Sequence, residues 1–342
     1  MVFETIIATV VAILLILLTN VLTRFWERLA GRFGIYDTPN NRSSHESTTP
    51  RAGGIVILVV MLLISLILLL YFTSYLLIGF FWLFCIVIAG IIGFYDDVHN
   101  LSAKVRMLLY SSLVIFFLIL FPEKLQISAL PFSILPKVLQ IIFMFLFLLW
   151  VLNLYNFMDG INGIAGGQLI SIGIPLFVIA FVAKDYFVSL ALMIFIIPTF
   201  GFLTRNWKSR ANVFLGDVGS VMIGFFIGTL GLIGETHGSI SLPTWLILMG
   251  VFVVDSTFTL IRRVVSGQNP FKPHKSHAYQ LAQQKYGSHL IISASVVLIN
   301  LVWLFPIAAV NVYVHPLPEW TMLIIAWFPL VTLAFILKAG KQ

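Results

Sequence analysis

The sequence predicts an all-α integral membrane protein, built as a polytopic bundle of transmembrane helices. Apolar residue types make up 60% of the 342 residues, while Asp, Glu, Lys and Arg together contribute 10%, against about 25% in a typical soluble domain. So few charges cannot coat a soluble fold of this size, and disordered chains are poor in aliphatic and aromatic residues. A single cysteine, Cys85, excludes a framework of internal disulfides.

Hydropathy predicts about eleven spans, with ten as the alternative count. A helix needs about 20 apolar residues to cross the roughly 30 Å hydrocarbon layer. The segments that satisfy this requirement are 3–22, 55–73, 75–94, 105–121, 136–155, 163–182, 186–204, 218–234, 242–261, 289–312 and 320–337. The first segment has no basic n-region or small-residue cleavage site, so we expect a retained helix and not a signal peptide. Because no connection is long enough for a soluble domain, we expect one membrane-embedded domain over residues 1–342.

The distribution of basic residues predicts the orientation. With eleven spans, only three of the 20 Lys and Arg residues fall on one side, namely Lys124, Lys137 and Lys184. Positive residues collect in the cytoplasm, so the sequence predicts an external N-terminus and a cytoplasmic C-terminus. Most of the basic residues thus lie at the cytoplasmic face of the membrane. The long or motif-bearing loops on that face are 23–54, 95–104, 205–217 and 262–288.

Carboxylates accumulate at the ends of apolar segments on the same side. Asp96 and Asp97 directly follow the third predicted span, and Asp217 directly precedes the eighth. Adjacent carboxylates repel each other, so they are tolerated best beside a cation. Two structural alternatives remain open at this point. The Asp pair could begin a solvated loop balanced by Lys104 and Arg106, and Asp217 could be a helix N-cap.

A polar stripe ends the fifth predicted span. Asn153, Asn156, Asp159 and Asn162 recur every three residues, which on a helix places them on one face. Such a stripe lines a cavity or a neighbouring helix, and the glycines that accompany it allow a ligand or another backbone to approach closely. Hydrogen bonding between helices is the structural alternative.

Basic and hydrogen-bonding side chains lie in the first and last long loops. His274, Lys275 and His277 stand close together, but two histidines three apart need further ligands to bind a transition metal. Basic groups without acids suit a polyphosphate better. The first loop adds His45 and Arg51. Together with the carboxylates, which suit Mg²⁺, these groups predict a membrane enzyme that acts on a phosphorylated substrate.

Five motifs in order resemble the polyprenyl-phosphate N-acetylhexosamine-1-phosphate transferases, the superfamily that includes WecA and MraY, over nearly the whole chain. The motifs are Thr49–Gly54, Asp96–Asp97 followed by Leu101–Lys104, Asn156–Gly160, Phe214–Ser220, and the loop with His274 and His277. The run from His277 to Gln280 looks closer to the O-antigen-initiating WbpL-like branch than to MraY, whose loop carries adjacent histidines.

The resemblance implies transfer of an N-acetylhexosamine-1-phosphate from a UDP-sugar to undecaprenyl phosphate, with release of UMP, at the start of O-antigen or related cell-envelope glycan synthesis. It implies a Mg²⁺ cofactor, with Mn²⁺ as the alternative, bound by Asp217 and with Asp97 as a second ligand. The implied catalytic residues are Asp96, which would accept the residual proton of the lipid phosphate, together with Asp97 and Asp159. The implied substrate-binding residues are Asn156, Asn162, Lys104, Arg106, His45, Arg51, His274, Lys275 and His277.

One position departs from the family pattern, since relatives commonly carry a second Asp where this chain has Asn162. No compensating carboxylate lies nearby in sequence, and the other motifs are complete. We therefore expect Asn162 to act as a hydrogen-bonding residue in an active protein. On this basis Asn162→Asp would change activity by less than about tenfold, which is ~1.4 kcal/mol in the barrier.

The expected partners are a UDP-N-acetylhexosamine, undecaprenyl phosphate and the lipid bilayer, with no nucleic acid, and a homodimer is left open. A secondary transporter or flippase is the alternative function. Transporters, however, place their charged groups near the midplane and often show paired repeats, whereas these motifs lie at one face and no second half matches the first. The sequence leaves open which sugar is used and whether transfer is direct or passes through an aspartyl intermediate.

Overall fold

The computed structural model describes residues 2–39, 47–71, 76–121, 125–129, 131–269 and 274–341. Within these ranges the regular secondary structure is helical apart from one antiparallel ladder, in which β1 (Tyr36–Asp37) pairs with β2 (Thr49–Pro50). The α-helices are α1 (Val2–Arg32), α2 (Gly54–Tyr71), α3 (Leu76–His99), α4 (Ala103–Leu120), α5 (Lys137–Met158), α6 (Ile164–Val182), α7 (Tyr186–Asn206), α8 (Gly216–His237), α9 (Leu242–Leu248), α10 (Gly250–Val265), α11 (Ala278–Tyr286), α12 (His289–Ile299), α13 (Phe305–Tyr313) and α14 (Glu319–Ile336). A 3₁₀ turn covers Phe132–Ile134, and a π-helical turn, Asn300–Leu304, joins α12 to α13.

The helical membrane fold is confirmed. In the described part of the chain, nine helical segments are long and apolar enough to cross a membrane, and a tenth arises if α9 and α10 form one bent span. Each of the eleven predicted segments coincides with a helix or a joined pair. The predicted span that is missing from this count corresponds to α2, whose apolar stretch Gly54–Leu68 is shorter than a full span. The count of eleven and the orientation stay predictions.

The helix α8 forms the centre of the bundle. Of its apolar segment 89% is buried inside the protein, against 28% for α4 and for α14. Small residues allow this, because they let neighbouring helices approach closely. A Cβ at Gly224 would lie 2.9 Å from Tyr155, and one at Gly228 would lie 3.2 Å from Leu148, both on α5. The first residues of α8, which include Asp217, are thereby placed at the middle of one end of the bundle.

The span predicted over 242–261 is not one straight helix. It breaks between α9 and α10, which meet at 83°. The break leaves the carbonyl of Leu246 without its helical partner, and the indole N–H of Trp327 donates to it at 3.0 Å. A side chain at Gly250, the first residue of α10, would press against Trp327 and Leu304.

The helix ends that the basic-residue distribution assigns to one side do meet in one place. Arg106 at the start of α4 contacts Asp96 at the end of α3. Arg205 at the end of α7 forms a bidentate pair with Glu27 near the end of α1, with N···O distances of 2.7 and 2.6 Å. All five motifs lie at this end, and we refer to it as the motif end.

The side of the membrane on which the motif end lies is testable by cysteine labelling. Ser276 in the last long loop is buried, so the exposed Gln284 on α11 is the better position. In a Cys85→Ser background, we expect Gln284→Cys to resist an impermeant thiol reagent in sealed cells and to react after permeabilisation. Leu317→Cys, which is exposed between α13 and α14, is the matched control and should react in sealed cells. The reverse pattern would overturn the cytoplasmic assignment.

Candidate active site

A buried carboxylate joins the end of α3 to the start of α8. Asp97 is 3% exposed. Its Oδ1 accepts a hydrogen bond from the backbone N–H of Asp217, and its Oδ2 accepts one from Val218, each at 3.1 Å. The contact needs glycines on both sides. A Cβ at Gly93 would collide with the carbonyl of Asp217, and Gly216 has a φ of +75° with Asp97 Oδ2 2.5 Å from where its Cβ would lie.

The side chain of Asp217 therefore does not cap α8. It lies in the first turn of α8, and the N-cap alternative is wrong because Asp97 satisfies these backbone N–H groups. The Asp217 side chain is 30% exposed and lies 3.9 Å from Arg106. Its Oδ1 accepts a hydrogen bond of 2.7 Å from the amide of Asn156, which also donates to Ser220 at 3.0 Å.

Asp96 completes a pair of acids with Asp217, since the two carboxyl groups lie within hydrogen-bonding reach of each other. Asp96 is 3% exposed. Its Oδ1 accepts from the N–H of Leu101 at 2.7 Å, and its Oδ2 lies 3.3 Å from Arg106. Two carboxyl groups this close repel each other unless a cation or a proton lies between them. Arg106 is the protein's own cation here.

The oxygen donors at this position fit a magnesium ion. Mg²⁺ is usually bound by one or two carboxylates, with water and substrate phosphates completing its octahedron. Among the described residues, no group of three or more His, Cys, Asp or Glu side chains could hold a metal by itself. Asp217, whose side chain is partly exposed, is the residue that could hold the ion. Both oxygens of Asp97, the second predicted ligand, already bind backbone amides.

The polar stripe predicted along α5 stops earlier than expected. The helix ends at Met158, and Asp159 adopts φ −86° and ψ 56°, so Asn153 and Asn156 share a helix face but Asn162 does not. Asp159 lies in the turn beyond that face. Burial, followed by the charge of Asp97, raises the pKa of Asp159 to about 7. A cation bound nearby would favour its ionised form.

Asn162 supports the loop that leads into α8. It is 4% exposed, and its side-chain amide donates to the carbonyl of Lys208 at 2.8 Å and to that of Ser209 at 3.3 Å. Its own carbonyl accepts from the hydroxyl of Ser293 at 2.7 Å. An aspartate cannot donate to these two carbonyls. The contacts therefore change the expectation that Asn162→Asp is tolerated.

Arg51 belongs to a backbone strap that covers the start of α8. Pro50, Gly53 and Gly54 exchange main-chain hydrogen bonds of 2.8–2.9 Å with Phe214 and Leu215. These bonds pair the first motif with the fourth.

The Arg51 guanidinium donates to the carbonyl of Asp97 and to Asn100 Oδ1, and it lies 3.8 Å from the Asp97 carboxylate. Lys104 is exposed on the first turn of α4, and His45 lies outside the described residues. Substrate binding by these three residues stays a prediction.

The histidine loop packs against the end of α5. His274 and His277 stack with their ring centres 5.0 Å apart, while Lys275 is partly exposed. Burial, followed by the charges of His277 and Arg263, lowers the pKa of His274 to about 4, so this ring is neutral at pH 7. The hydroxyl of Tyr279 donates to the carbonyl of Phe157 at 3.0 Å and thereby ties the loop to α5.

Three residues that hold this loop were not predicted as part of the site, namely Tyr279, Asp255 and Arg263. Asp255 and Arg263 are buried on α10. The one signal that could have found them is their type, because an acid and an arginine that are buried in an apolar segment need partners.

A cavity of about 580 Å³ lies between Arg106 and Asn156 on one side and the histidine loop on the other. It lies between α4, α5, α10 and the histidine loop. Its polar end is formed by Arg106, Asn156, His274, His277 and Gln280. Its other end is apolar and is lined by Met107, Leu146, Leu149 and Trp150, among others. The cavity can therefore accept an elongated molecule with an anionic head and an apolar tail.

Comparison with known proteins places the chain among sugar-phosphate transferases. The model of glycosyl transferase family 4 matches residues 78–235. A probable undecaprenyl-phosphate N-acetylglucosaminyl 1-phosphate transferase of Bacillus subtilis is 30% identical over 320 residues, which cover 90% of this chain and 86% of that protein. This chain belongs to glycosyl transferase family 4.

Other members of this family show the same extent of similarity. The undecaprenyl-phosphate alpha-N-acetylglucosaminyl 1-phosphate transferase of Escherichia coli K12 is 29% identical over 326 residues, covering 90% of this chain and 85% of the relative. The protein of the same description from Salmonella typhi is 28% identical over 329 residues, with the same coverage. The resemblance seen in the five motifs is thus confirmed at the level of the family. The closer likeness to the WbpL-like branch stays a prediction.

The role of Asn162 is testable by exchanging its amide for an acid. We expect Asn162→Asp to destabilise the protein by roughly 1–3 kcal/mol, the cost of leaving buried polar groups without a partner, and to lower its melting temperature in detergent. Gln284→Glu makes the same chemical change at an exposed position and should leave the melting temperature unchanged. Equal melting temperatures for Asn162→Asp and the wild type would show that the protein tolerates an aspartate at this position.

Proposed function

We propose that this protein transfers an N-acetylhexosamine-1-phosphate from a UDP-sugar to undecaprenyl phosphate and releases UMP. The observation that carries the proposal is one cavity with an apolar end and an anion-binding end, located beside the Asp96 and Asp217 carboxyl pair. The names of the relatives agree with this reaction. They make UDP-N-acetylglucosamine the first sugar donor to assay.

The chemistry follows from the charges of the two substrates. An oxygen of the lipid phosphate attacks the β-phosphorus of the UDP-sugar, so a new P–O bond forms. The bond from that phosphorus to the oxygen bridging the α-phosphate breaks, and UMP leaves with the bonding electrons. The nucleophile is largely ionised at neutral pH, because the second pKa of a phosphate monoester is about 6. The main barrier is the meeting of anions, which positioning and charge neutralisation lower.

Residues at the polar end of the cavity supply this neutralisation. Arg106 faces both Asp96 and Asp217 and also lines the cavity, so it can bind a phosphate oxygen there. Asp217 would hold Mg²⁺, or Mn²⁺ in its place, which when bound would neutralise the diphosphate of the UDP-sugar. Asn156 orients Asp217 through a hydrogen bond of 2.7 Å. Asp97 holds the start of α8 in place through both of its carboxylate oxygens.

The same contacts favour direct displacement over an aspartyl intermediate. Hydrogen bonds from backbone amides and from Arg106 to the oxygens of Asp97 and Asp96 make these two carboxylates poorer nucleophiles. The lipid phosphate itself is the better nucleophile in this arrangement. We place the reaction at the cytoplasmic face of the bacterial inner membrane, as the first step of O-antigen or related cell-envelope glycan synthesis.

Transport is the weaker candidate. A transporter places its substrate site near the bilayer midplane, between repeats. Here the carboxylates, the arginine and the histidines that line or border the cavity belong to helix termini and loops at one end of the bundle. Membership of glycosyl transferase family 4 also favours group transfer.

The metal-binding assignment is testable through Asp217. We expect Asp217→Asn to lower UMP release by at least about 10²-fold, comparable to the loss of a positioned electrostatic group, because the amide keeps the size of the side chain but not its charge. UMP is measured in membranes given UDP-N-acetylglucosamine, undecaprenyl phosphate and Mg²⁺. Asp185→Asn, which changes an acid paired with His237 at 2.8 Å away from the motif end, is the matched control and should retain activity. Near-normal turnover of Asp217→Asn at low Mg²⁺ would contradict the assignment.

The apolar end of the cavity is testable with a larger side chain. We expect Leu149→Trp to raise the KM for undecaprenyl phosphate about tenfold, since the indole fills space that the prenyl chain needs, and such overpacking typically costs about 1–3 kcal/mol. The KM for the UDP-sugar and the rate with a short prenyl phosphate should change little. Leu139→Trp, at an exposed position on α5, is the control. An equal rise in both KM values would place the lipid elsewhere.

A further inference from the structure

Asp255 occupies an unusual position for a residue in an apolar segment. It lies in the middle of α10, is 6% exposed, and accepts four hydrogen bonds. The backbone N–H groups of Ala278 and Tyr279 donate to it at 2.8 and 2.9 Å. The hydroxyl of Thr259 lies at 3.2 Å and Nδ1 of His277 at 3.3 Å. None of the five motifs includes this residue.

The carboxylate of Asp255 caps the N-terminus of α11. The free N–H groups of a helix N-terminus are an attractive site for a phosphate. Here the first two N–H groups of α11 are already bound by the Asp255 carboxylate. The start of α11 is thus closed to substrate, and the imidazole groups are what this loop presents to the cavity.

The contact with Asp255 also determines which nitrogen of His277 carries the proton. Nδ1 faces the carboxylate, so the proton resides on Nδ1 and the lone pair of the neutral ring lies on Nε2. The backbone N–H of Gln280 also donates to the His277 side chain, a contact that by itself would favour an unprotonated ring nitrogen there. A hydrogen bond to a charged acceptor is roughly twice as strong as one between neutral groups, so the carboxylate decides the tautomer. Since His277 lines the cavity, its Nε2 edge is the one available to a ligand.

His274 has the opposite arrangement. Its Nδ1 accepts from the backbone N–H of Ser276 at 3.4 Å and contacts the Ser276 hydroxyl at 2.9 Å. The proton of this ring therefore resides on Nε2. The two stacked rings offer the cavity one donor, from His274, and one acceptor, from His277.

We infer that Asp255 is a positioning residue that holds His277 with its Nε2 lone pair toward the lipid phosphate, so that His277 accepts the residual proton of that phosphate. This inference rests on the proposed function. The P–O–H bond of the monoanion breaks, the proton forms an N–H bond at Nε2, and the freed P–O⁻ attacks the β-phosphorus. The proton is then released with UMP. Asp96, the acceptor expected from the sequence, has both oxygens engaged by Leu101 and Arg106.

The effect of removing the carboxylate should depend on pH. Above the second pKa of a phosphate monoester, about 6, most of the lipid phosphate is a dianion and needs no acceptor. The charged or titratable groups around His277 are Asp255 on α10, the stacked rings of His274 and Tyr279, Lys275 in its own loop, Arg263 beside Ser276, and Arg106, which lines the same cavity. Of these, Asp255→Asn changes only the first. A lost helix cap alone would reduce the rate by the same factor at every pH.

The experiment compares Asp255→Asn with the wild type in kinetics and in ¹⁵N solid-state NMR of histidine-labelled protein in bilayers. An asparagine can still accept one backbone N–H, but its NH₂ group would donate to Nδ1 of His277 and move the ring proton to Nε2. Exchange of the aspartate for asparagine beside a catalytic histidine acts in this way in serine proteases. The His277 signal is assigned by its loss in His277→Gln. Thr259→Val, which removes another partner of Asp255, is the matched control.

We expect the kcat of Asp255→Asn to fall about tenfold at pH 5, where only about a tenth of the lipid phosphate is a dianion, and less than about twofold at pH 8.5, where the dianion dominates. The KM for the UDP-sugar should stay within about threefold, as for a group that acts in the transition state. The His277 ring should change from Nδ1–H to Nε2–H, while His274 and the Thr259→Val protein stay as in the wild type. A pH-independent loss, an unchanged His277 tautomer, or full activity would each overturn the inference.

Two further outcomes separate this inference from the proposed function. If the wild type releases no UMP from a UDP-sugar and undecaprenyl phosphate, the proposed function fails and the proton transfer fails with it, while the tautomer measurement still reports whether Asp255 positions His277. If Asp255→Asn does not fold, the ¹⁵N spectrum of the wild type still shows which nitrogen of His277 carries the proton. A neutral His277 that carries its proton on Nε2 would overturn the inference without any variant.

Discussion

The site depends on one interaction, the hydrogen bonds from the first turn of α8 to the buried carboxylate of Asp97 at the end of α3. Hydrogen bonds to a charged group contribute about 1.5–3 kcal/mol each, so this pair fixes the end of one helix against the start of the next. It needs Gly93 and Gly216, because a side chain at either position would collide with the partner. Asp217 is thereby left with its own carboxylate facing Asp96, Arg106 and Asn156.

Asp255 makes the same kind of contact at the histidine loop, where it accepts hydrogen bonds from the first backbone N–H groups of α11. In both places an acid on one helix satisfies the first backbone N–H groups of another, and a neighbouring side chain becomes available to a ligand. For Asp97 the neighbour is Asp217, and for Asp255 it is His277. Asn156, which binds Asp217, and His277, which binds Asp255, both line the same cavity. Acids that appear equivalent in the sequence therefore divide into those that hold the fold and those that can meet a ligand.

Much of the fold could be predicted from the sequence because hydropathy and charge report directly on burial in a membrane. The positions of the helices follow from the length of the apolar segments, and the meeting of the motifs at one end follows from their alternation. The break at Gly250 could not be predicted, since it depends on the indole of Trp327, which lies far away in sequence and binds the freed carbonyl of Leu246. The residue types that form the candidate site were also apparent, whereas their division of labour was not. Whether an aspartate caps a helix or faces a cavity depends on contacts such as the one between Asp97 and Val218, 121 residues apart.

In the proposed function, Asp217 and not Asp97 binds a divalent cation together with the diphosphate of a UDP-sugar. Mn²⁺ is a paramagnetic substitute for Mg²⁺, so its binding can be measured by electron paramagnetic resonance on the protein in membranes with UDP-N-acetylglucosamine. Bound Mn²⁺ should be detected for the wild type and lost in Asp217→Asn. An Asp97→Asn protein that still melts cooperatively should retain it. Mn²⁺ binding that survives in Asp217→Asn and disappears in a folded Asp97→Asn protein would contradict the assignment.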